Sequence, residues 1–190
     1  MRGLLLRRWS PEDLDALHRA VLESIGELRP WMVWASSTDI EAQRAYLQTA
    51  VPAWEKDERY EYAIEDPAAG VIGSIGLLAR IGAGGLEIGY WVHSGHTRQG
   101  IATTCAAALT AAAFSLPWVE RVEIHHDKSN RASGAVPSKL SFEVVERFAR
   151  LAVAPADSGH DLIWRLRRDQ YPGSRAQLIA QSLEAEGRGA

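Results

Sequence analysis

Cysteine is almost absent from this chain, because its 190 residues contain only one, Cys105. A single thiol excludes an internal disulfide framework and a zinc cluster built from cysteines. Long apolar runs are missing as well: none reaches the length of a membrane span, and Leu4 to Leu6 is too short for a signal peptide. We therefore expect a soluble, cytoplasmic protein that has no membrane partner.

An excess of positive charge is also lacking. The formal net charge is -3, and no block is rich in lysine or arginine, so the sequence predicts no nucleic-acid partner. The remaining composition is ordinary, with 46% hydrophobic and 24% charged residues. This length suits one domain with a real core, which we place at residues 1–168, followed by a tail at residues 169–190 with the pattern of a short helix.

The first half of the chain predicts a short strand at Leu4 and Leu6, two helices and a group of three strands. Ser10 and Asp13 have the spacing of a capping box at the start of one helix, and Asp39 can cap a second. Three strands joined by turns then predict an antiparallel meander at Tyr60 to Ile64, Val71 to Ala79 and Leu86 to His93.

The second half adds a crossover and two further strands. A helix that begins at Gly100 separates the third strand from a fourth at Val119 to His125, and this succession favours a parallel pair. A short helix at 131–140 and strands at 142–149 and 161–166 follow. We therefore predict an α+β fold, a mixed, mostly antiparallel sheet with helices on both faces. A dinucleotide-binding fold is disfavoured, because the glycines at 82–85 lead into a strand rather than a helix.

The turn between the third strand and the Gly100 helix has the features of an anion site. A glycine at a helix start leaves backbone N–H groups free to point at an anion. Arg98 adds positive charge, and the small residues Gly100 and Ala102 let a ligand approach the backbone closely. The pattern favours a pyrophosphate site, although an ordinary turn glycine before an ordinary helix would look the same.

Four segments, in their order along the chain, resemble the GCN5-related N-acetyltransferases (GNAT). The likeness is strongest to the branch that acetylates the N-termini of ribosomal proteins, and it extends from Leu4 to Leu166. The segments are LRPWMVWA at 28–35, LEIGYWV at 86–92, RQGIAT at 98–103, and NRAS at 130–133 followed by KLSF at 139–142. Two positions depart from the family pattern: Thr97 stands where arginine or glutamine is usual, and Ser141 where glycine is usual.

The resemblance implies that acetyl-CoA, the acyl-donor co-substrate, lies between splayed central strands. It assigns the pantetheine arm to backbone groups of Tyr90, Trp91 and Val92, and it brings Asn130 and Ser133 to the cofactor from the following helix. The pyrophosphate is assigned to backbone N–H groups of Arg98, Gln99, Gly100, Ile101, Ala102 and Thr103.

Acetyl transfer to an amine needs a neutral nitrogen, a stabilised oxyanion and a proton for the leaving thiolate. Glu87 is the candidate base, acting through a water molecule, and the alternative is a solvated or structural carboxylate. Ser133 is the candidate donor to the sulfur, and the alternative is a serine that satisfies a backbone donor in the first helical turn. Asn130 fits a helix cap as well as a cofactor contact.

The aromatic residues Trp31, Trp34 and Tyr90 are candidates for the wall of an acceptor site, or alternatively they cover the core. We expect no metal, because His125 and His126 are adjacent on a strand and point to opposite faces. Sheet edges and exposed tryptophans are compatible with a homodimer.

The sequence therefore predicts an acetyl-CoA-dependent N-acetyltransferase that works by direct attack in a ternary complex. The acceptor is a primary amine, either a protein N-terminus or a small molecule. Two other readings stay open at this point. One is a catalytically idle acyl-CoA binder that acts as a sensor or scaffold, and the other is a structural interaction domain without affinity for CoA.

Overall fold

The computed structural model describes residues 3–187. Seven strands and five α-helices make up this part of the chain. The strands are β1 (Leu5–Arg8), β2 (Arg59–Asp66), β3 (Gly70–Leu78), β4 (Gly85–Val92), β5 (Arg121–Asp127), β6 (Glu143–Ala149) and β7 (His160–Arg167). The helices are α1 (Leu14–Leu28), α2 (Ile40–Glu55), α3 (Ile101–Ser115), α4 (Arg131–Lys139) and α5 (Arg175–Gly187).

The strands form one sheet in the order β1-β2-β3-β4-β5-β7-β6. Every pairing is antiparallel except that of β4 with β5, which are parallel because α3 carries the chain back across the sheet between them. The predicted meander, the parallel crossover and the α+β class are therefore confirmed. The start of β5 was predicted two residues early, because the Val119 N–H closes a turn on the Leu116 carbonyl and β5 begins only at Arg121.

Side chains that alternate along the strands supply two core layers, one on each face of the sheet. Leu86 and Ile88 of β4 pack with Val122 and Ile124 of β5 in the larger cluster, beneath α3. Ala63 of β2 and residues of α1 and α2 form the second cluster. Helices on both faces of the sheet are thus confirmed.

Capping residues set where the first helices begin. Ser10 and Asp13 form the predicted capping box around a short 3-10 turn that runs into α1. Asp39 caps α2, its carboxylate accepting from the backbone N–H of Glu41. Both predictions are confirmed.

The predicted helix of the tail is present as α5. It packs on α3 and buries Ala176 in the same core cluster as the sheet. A domain boundary between residues 168 and 169 stays a prediction. Within residues 3–187, no helix combines the length and the apolar character needed to cross a bilayer.

Candidate active site

The central feature of the site is the separation of β4 from β5. Their ladder has three pairs, Gly85–Arg121, Leu86–Val122 and Glu87–Glu123. Beyond Glu87, β4 stays paired with β3 as far as Val92, so its edge towards β5 has no strand partner in the described chain. A wedge therefore opens along the segment where Tyr90, Trp91 and Val92 were expected to present backbone groups to a ligand.

A cavity of about 890 Å³ lies at this wedge. The segment after α1, the C-terminal half of β4, the end of β5 and the start of α4 all contribute to its lining. It brings together seven of the predicted site residues: Trp31, Trp34, Glu87, Tyr90, Trp91, Asn130 and Ser133. Val92 and residues 98–103 do not line it, because they lie at the end of β4 and around the start of α3.

The turn before α3 has the backbone conformation of an anion-binding site. Gly100 is the N-cap residue with φ 81° and gives the helix no side-chain cap, and the first turn contains no acidic residue. Arg98 also has a positive φ, 60°, which few residues other than glycine adopt. Two positive-φ residues ahead of a helix start without a side-chain cap leave backbone N–H groups free for an anion, so this turn fits a pyrophosphate.

On the β5 side of the wedge, Tyr90 of β4 contacts the first turn of α4. The Tyr90 hydroxyl donates to the carbonyl oxygen of Ser133 at 2.9 Å and lies 3.1 Å from the Ser133 hydroxyl. Asn130 caps α4 by accepting from the Ser133 backbone N–H at 3.1 Å, so the structural alternative predicted for Asn130 is present. Burial raises the pKa of Tyr90 to about 12, against the opposing effect of the Ser133 hydrogen bond, so the phenol keeps its proton at neutral pH.

Comparison with known proteins assigns this arrangement to a family. The family model described as "Acetyltransferase (GNAT) domain" matches residues 3–143. The chain belongs to the GNAT acetyltransferase family. Its activity is accordingly acetyl-CoA-dependent N-acetyl transfer, as the resemblance implied. A comparison with curated proteins found no match.

Several solved structures share the fold of this acetyltransferase. Mycobacterium smegmatis RimJ in complex with CoA-disulfide is 21% identical, with 95% of this chain and 90% of that chain covered and a TM-score of 0.82. RimL, the ribosomal L7/L12 alpha-N-protein acetyltransferase in complex with coenzyme A, is 21% identical over 90% and 97% of the two chains, with a TM-score of 0.81. The microcin C7 self-immunity acetyltransferase MccE, in complex with acetyl-CoA and AMP, is 14% identical over 88% and 93%, also with a TM-score of 0.81.

Glu87 is buried on the floor of the acetyltransferase cavity, with 5% of its surface exposed. Arg80 binds both of its carboxylate oxygens, through Nε at 2.8 Å and a terminal nitrogen at 2.6 Å. Of the two alternatives given for Glu87, the solvated carboxylate does not fit this burial, and the structural hydrogen-bond acceptor is present as the partner of Arg80. Its role as a base stays a prediction.

A second buried carboxylate, Glu123, lies beside Glu87 across the last pair of the β4–β5 ladder. One of its oxygens accepts from Arg165 at 2.7 Å, and the other lies 2.7 Å from Nε2 of His125. Burial acts to raise the pKa of Glu123, but the hydrogen bonds from His125 and Arg165 hold it below its usual value.

His125 was not among the predicted site residues, yet it lines the cavity. Sequence reasoning considered it only as a metal ligand. Within residues 3–187, no group of three or more His, Cys, Asp or Glu side chains is arranged to hold a metal ion. The signal that could have found His125 is strand alternation, which places it on the same face as Glu123. His126 points the other way, towards Trp164 and Gly134.

Aromatic rings form one wall of the cavity. Trp34 is 44% exposed, and its ring lies 6.2 Å from that of Trp91. Trp31 lines the same cavity. Tyr90 lines it as well, but its hydroxyl is directed to α4. Trp91, which the sequence assigned only a backbone role, is the ring that faces Trp34.

Proposed function

We propose that this acetyltransferase transfers the acetyl group to a primary amine, carried by a protein N-terminus or a small molecule, by direct attack in a ternary complex. The observation that carries the proposal is the wedge between β4 and β5, which opens into a cavity lined by Ser133 and Glu87. A thioester held in the wedge and an amine held in the cavity would meet there. The cavity volume, about 890 Å³, is in the range of pockets that hold small molecules.

Acetyl-CoA fits the groups that the chain presents. The N–H groups of residues 98–103 would bind the pyrophosphate, and the unpaired edge of β4 at Tyr90, Trp91 and Val92 would hold the pantetheine arm by strand-like hydrogen bonds. Bound acetyl-CoA supplies the activated acetyl group. The chain's own residues then orient it and manage the protons.

Ser133 is the group we assign to the leaving sulfur. Because Tyr90 donates its only hydroxyl proton to the Ser133 carbonyl, Ser133 is the donor in the 3.1 Å contact between the two hydroxyls. Rotation of the Ser133 O–H bond away from the Tyr90 oxygen would present this proton to another acceptor. A thiolate that forms within reach of this hydroxyl would accept it. Glu87 belongs to the path that removes a proton from the amine, since its carboxylate lies on the cavity floor.

The acceptor class is supported by what similar proteins are called. RimL is named as an alpha-N-protein acetyltransferase of ribosomal L7/L12, and MccE as a microcin C7 self-immunity acetyltransferase. Both a protein N-terminus and a small-molecule amine therefore belong in the test. The likeness to ribosomal-protein acetyltransferases also supports a cytoplasmic location as part of this proposal.

The test is a thiol-release assay with acetyl-CoA and a panel of amines. The panel contains peptides with N-terminal serine or alanine, a polyamine and an amine antibiotic. We expect release of CoA thiol with at least one acceptor, and a mass increase of one acetyl group on that acceptor. Binding of acetyl-CoA without thiol release across the panel would favour the idle binder.

A thermal-shift measurement with CoA distinguishes the acetyltransferase and the idle acyl-CoA binder from a purely structural domain. A ligand at about 100 times its Kd adds roughly 2.7 kcal/mol to stability, so a binder melts at a visibly higher temperature. An unchanged melting temperature at millimolar CoA would contradict any role in acyl-CoA chemistry.

We include a homodimer in the proposal. The sheet edges β1 and β6 and the exposed Trp34 and Trp118 support it as candidate contact surfaces. Light scattering of the purified protein tests this state directly, and a monomer mass at micromolar concentration would exclude it.

A further inference from the structure

His125 occupies the gap between two buried carboxylates at the point where the central strands separate. Its Nε2 lies 2.7 Å from Glu123, and its Nδ1 lies 3.8 Å from Glu87, too far for a hydrogen bond. The side chain is 23% exposed, so it is reachable from the cavity that it lines.

The hydrogen bond to Glu123 decides which ring nitrogen of His125 is free. A carboxylate only accepts hydrogen bonds, so Nε2 must carry the proton in the neutral ring and Nδ1 must carry the lone pair. No hydrogen bond from any described residue reaches Nδ1. A base oriented by a carboxylate on its far nitrogen is the arrangement that activates nucleophiles in many enzymes.

The two carboxylates are poorly placed to take a proton themselves. Arg80 holds both oxygens of Glu87. Glu123 is bound by Arg165 and Arg121 on one oxygen and by His125 on the other. Both oxygens of each carboxylate are thus already engaged in hydrogen bonds, and the partners of Glu123 hold its pKa below the usual value.

We propose that His125 is the proton acceptor for the amine, a role that rests on the proposed function. Glu123 orients its ring, and Glu87 stabilises the imidazolium that forms. The charged groups around His125 come from three strands. Glu87 on β4 and Glu123 on β5 carry their arginine partners. On β7, Arg165 and Asp161 flank Ile163, the residue opposite His125, and Asp161 is paired with Arg150.

The protons of the reaction balance. The acceptor ammonium gives one proton to Nδ1 of His125, and the neutral nitrogen attacks the thioester carbon. A C–N bond forms as the C–S bond breaks. A second proton leaves the nitrogen and ends on the sulfur by way of the Ser133 hydroxyl, which is restored. His125 then releases its proton to water in the cavity.

The test compares His125→Gln with the parent, using the acceptor found in the amine panel, from pH 6 to pH 10. Glutamine can keep an amide N–H on Glu123, but it cannot accept the proton. We expect kcat/KM to fall on the order of 100-fold near pH 7, the size of a general-base contribution. The loss should shrink as the pH approaches the pKa of the amine, roughly 8 for an α-amine, because the nitrogen is then already neutral.

Two further measurements keep the outcome clear. The affinity for acetyl-CoA should be unchanged in His125→Gln, and His160→Gln, an exposed histidine outside the cavity lining, should behave as the parent. Should His125→Gln fold poorly, His125→Ala with added imidazole replaces it, and a rise in turnover with imidazole concentration is expected.

Equal activity of His125→Gln and the parent would overturn the role of His125 while leaving the proposed function intact. A loss of the same size at every pH, or no rescue by imidazole, would also overturn it. A parent that binds acetyl-CoA but acetylates no amine would instead refute the proposed function, and this role with it.

Discussion

The hydroxyl of Tyr90 lies 3.1 Å from the hydroxyl of Ser133, although the two residues are 43 positions apart in the chain. The contact joins the splayed part of β4 to the first turn of α4. It explains how a helix that follows β5 can hold a hydroxyl at the place where a thioester held by β4 would end.

Ser133→Ala tests the protonation of the leaving group. We expect kcat to fall roughly 10-fold to 100-fold, since a hydrogen bond to a charged group contributes about 1.5–3 kcal/mol. KM for acetyl-CoA should change less, because the hydroxyl acts on the departing sulfur. Steady-state kinetics measure both constants, and the exposed Ser138→Ala on the same helix is the control. Equal kcat in the Ser133 variant and the parent would reject the role.

Glu87→Gln tests the carboxylate on the cavity floor. The substitution removes the charge that faces Arg80 and lies near His125, so we expect slower turnover and a shifted pH profile. The matched control is Glu41→Gln, whose ion pair with Arg44 is on the surface and should contribute at most about 1 kcal/mol. A pH profile identical to that of the parent would remove Glu87 from the mechanism.

Gly100→Ala tests the pyrophosphate turn. At φ 81° an alanine is strained by about 1–2 kcal/mol, and its Cβ stands at the helix start where phosphate oxygens would approach. We expect weaker binding of acetyl-CoA by calorimetry. Gly173→Ala has the same kind of strain, at φ 79°, in the turn before α5, which contains none of the predicted cofactor-binding residues. If both variants lose affinity equally, the turn before α3 has no special role.

Trp34→Ala tests the aromatic wall. Loss of a ring contact worth about 0.5–1.5 kcal/mol should raise KM for the amine roughly threefold to tenfold and leave acetyl-CoA affinity unchanged. Trp118 is the control, because it is 45% exposed against 44% for Trp34 and does not line the cavity. A KM that is unchanged in Trp34→Ala would place the acceptor elsewhere.

We expect the stability of the fold to decrease at low pH because of the buried Asp127 at the end of β5. Burial acts to raise its pKa, but hydrogen bonds from the Ser129 backbone and the Ser158 hydroxyl hold the pKa below its usual value. A depressed carboxylate pKa contributes stability above the unfolded value, about 3.9, and this stability is lost as the pH falls through the folded value. Asp127→Asn should therefore have a lower melting temperature than the parent at pH 7. The difference between the two melting temperatures should become smaller below about pH 4. A difference in melting temperature that is the same at every pH would contradict the role of the Asp127 carboxylate.

Much of the architecture was predictable, because hydrophobic period and capping residues are local signals. The antiparallel meander and the parallel crossover followed from the spacing of strands, turns and the Gly100 helix. The start of β5 was misplaced because Val119 is buried like a strand residue while its backbone forms a turn.

The candidate site was predictable as a set of segments but only partly as a set of contacts. Seven predicted residues meet at one cavity. The pairing of Glu87 with Arg80, the facing of Trp34 by Trp91, and the presence of His125 were not foreseen. These contacts depend on where neighbouring strands and loops stop relative to one another.

Local pattern alone predicted a mixed, mostly antiparallel sheet with a parallel crossover through α3, since helix period and strand alternation are properties of neighbouring residues. The GNAT type was predicted from the resemblance of four segments. Only the tertiary structure determines which side chains line the proposed reaction site. The β4–β5 register places Glu87 beside Glu123, and the end of that ladder opens the cavity over His125. Ionic and hydrogen-bonding partners act over a few ångströms, so they are defined only when distant segments have packed.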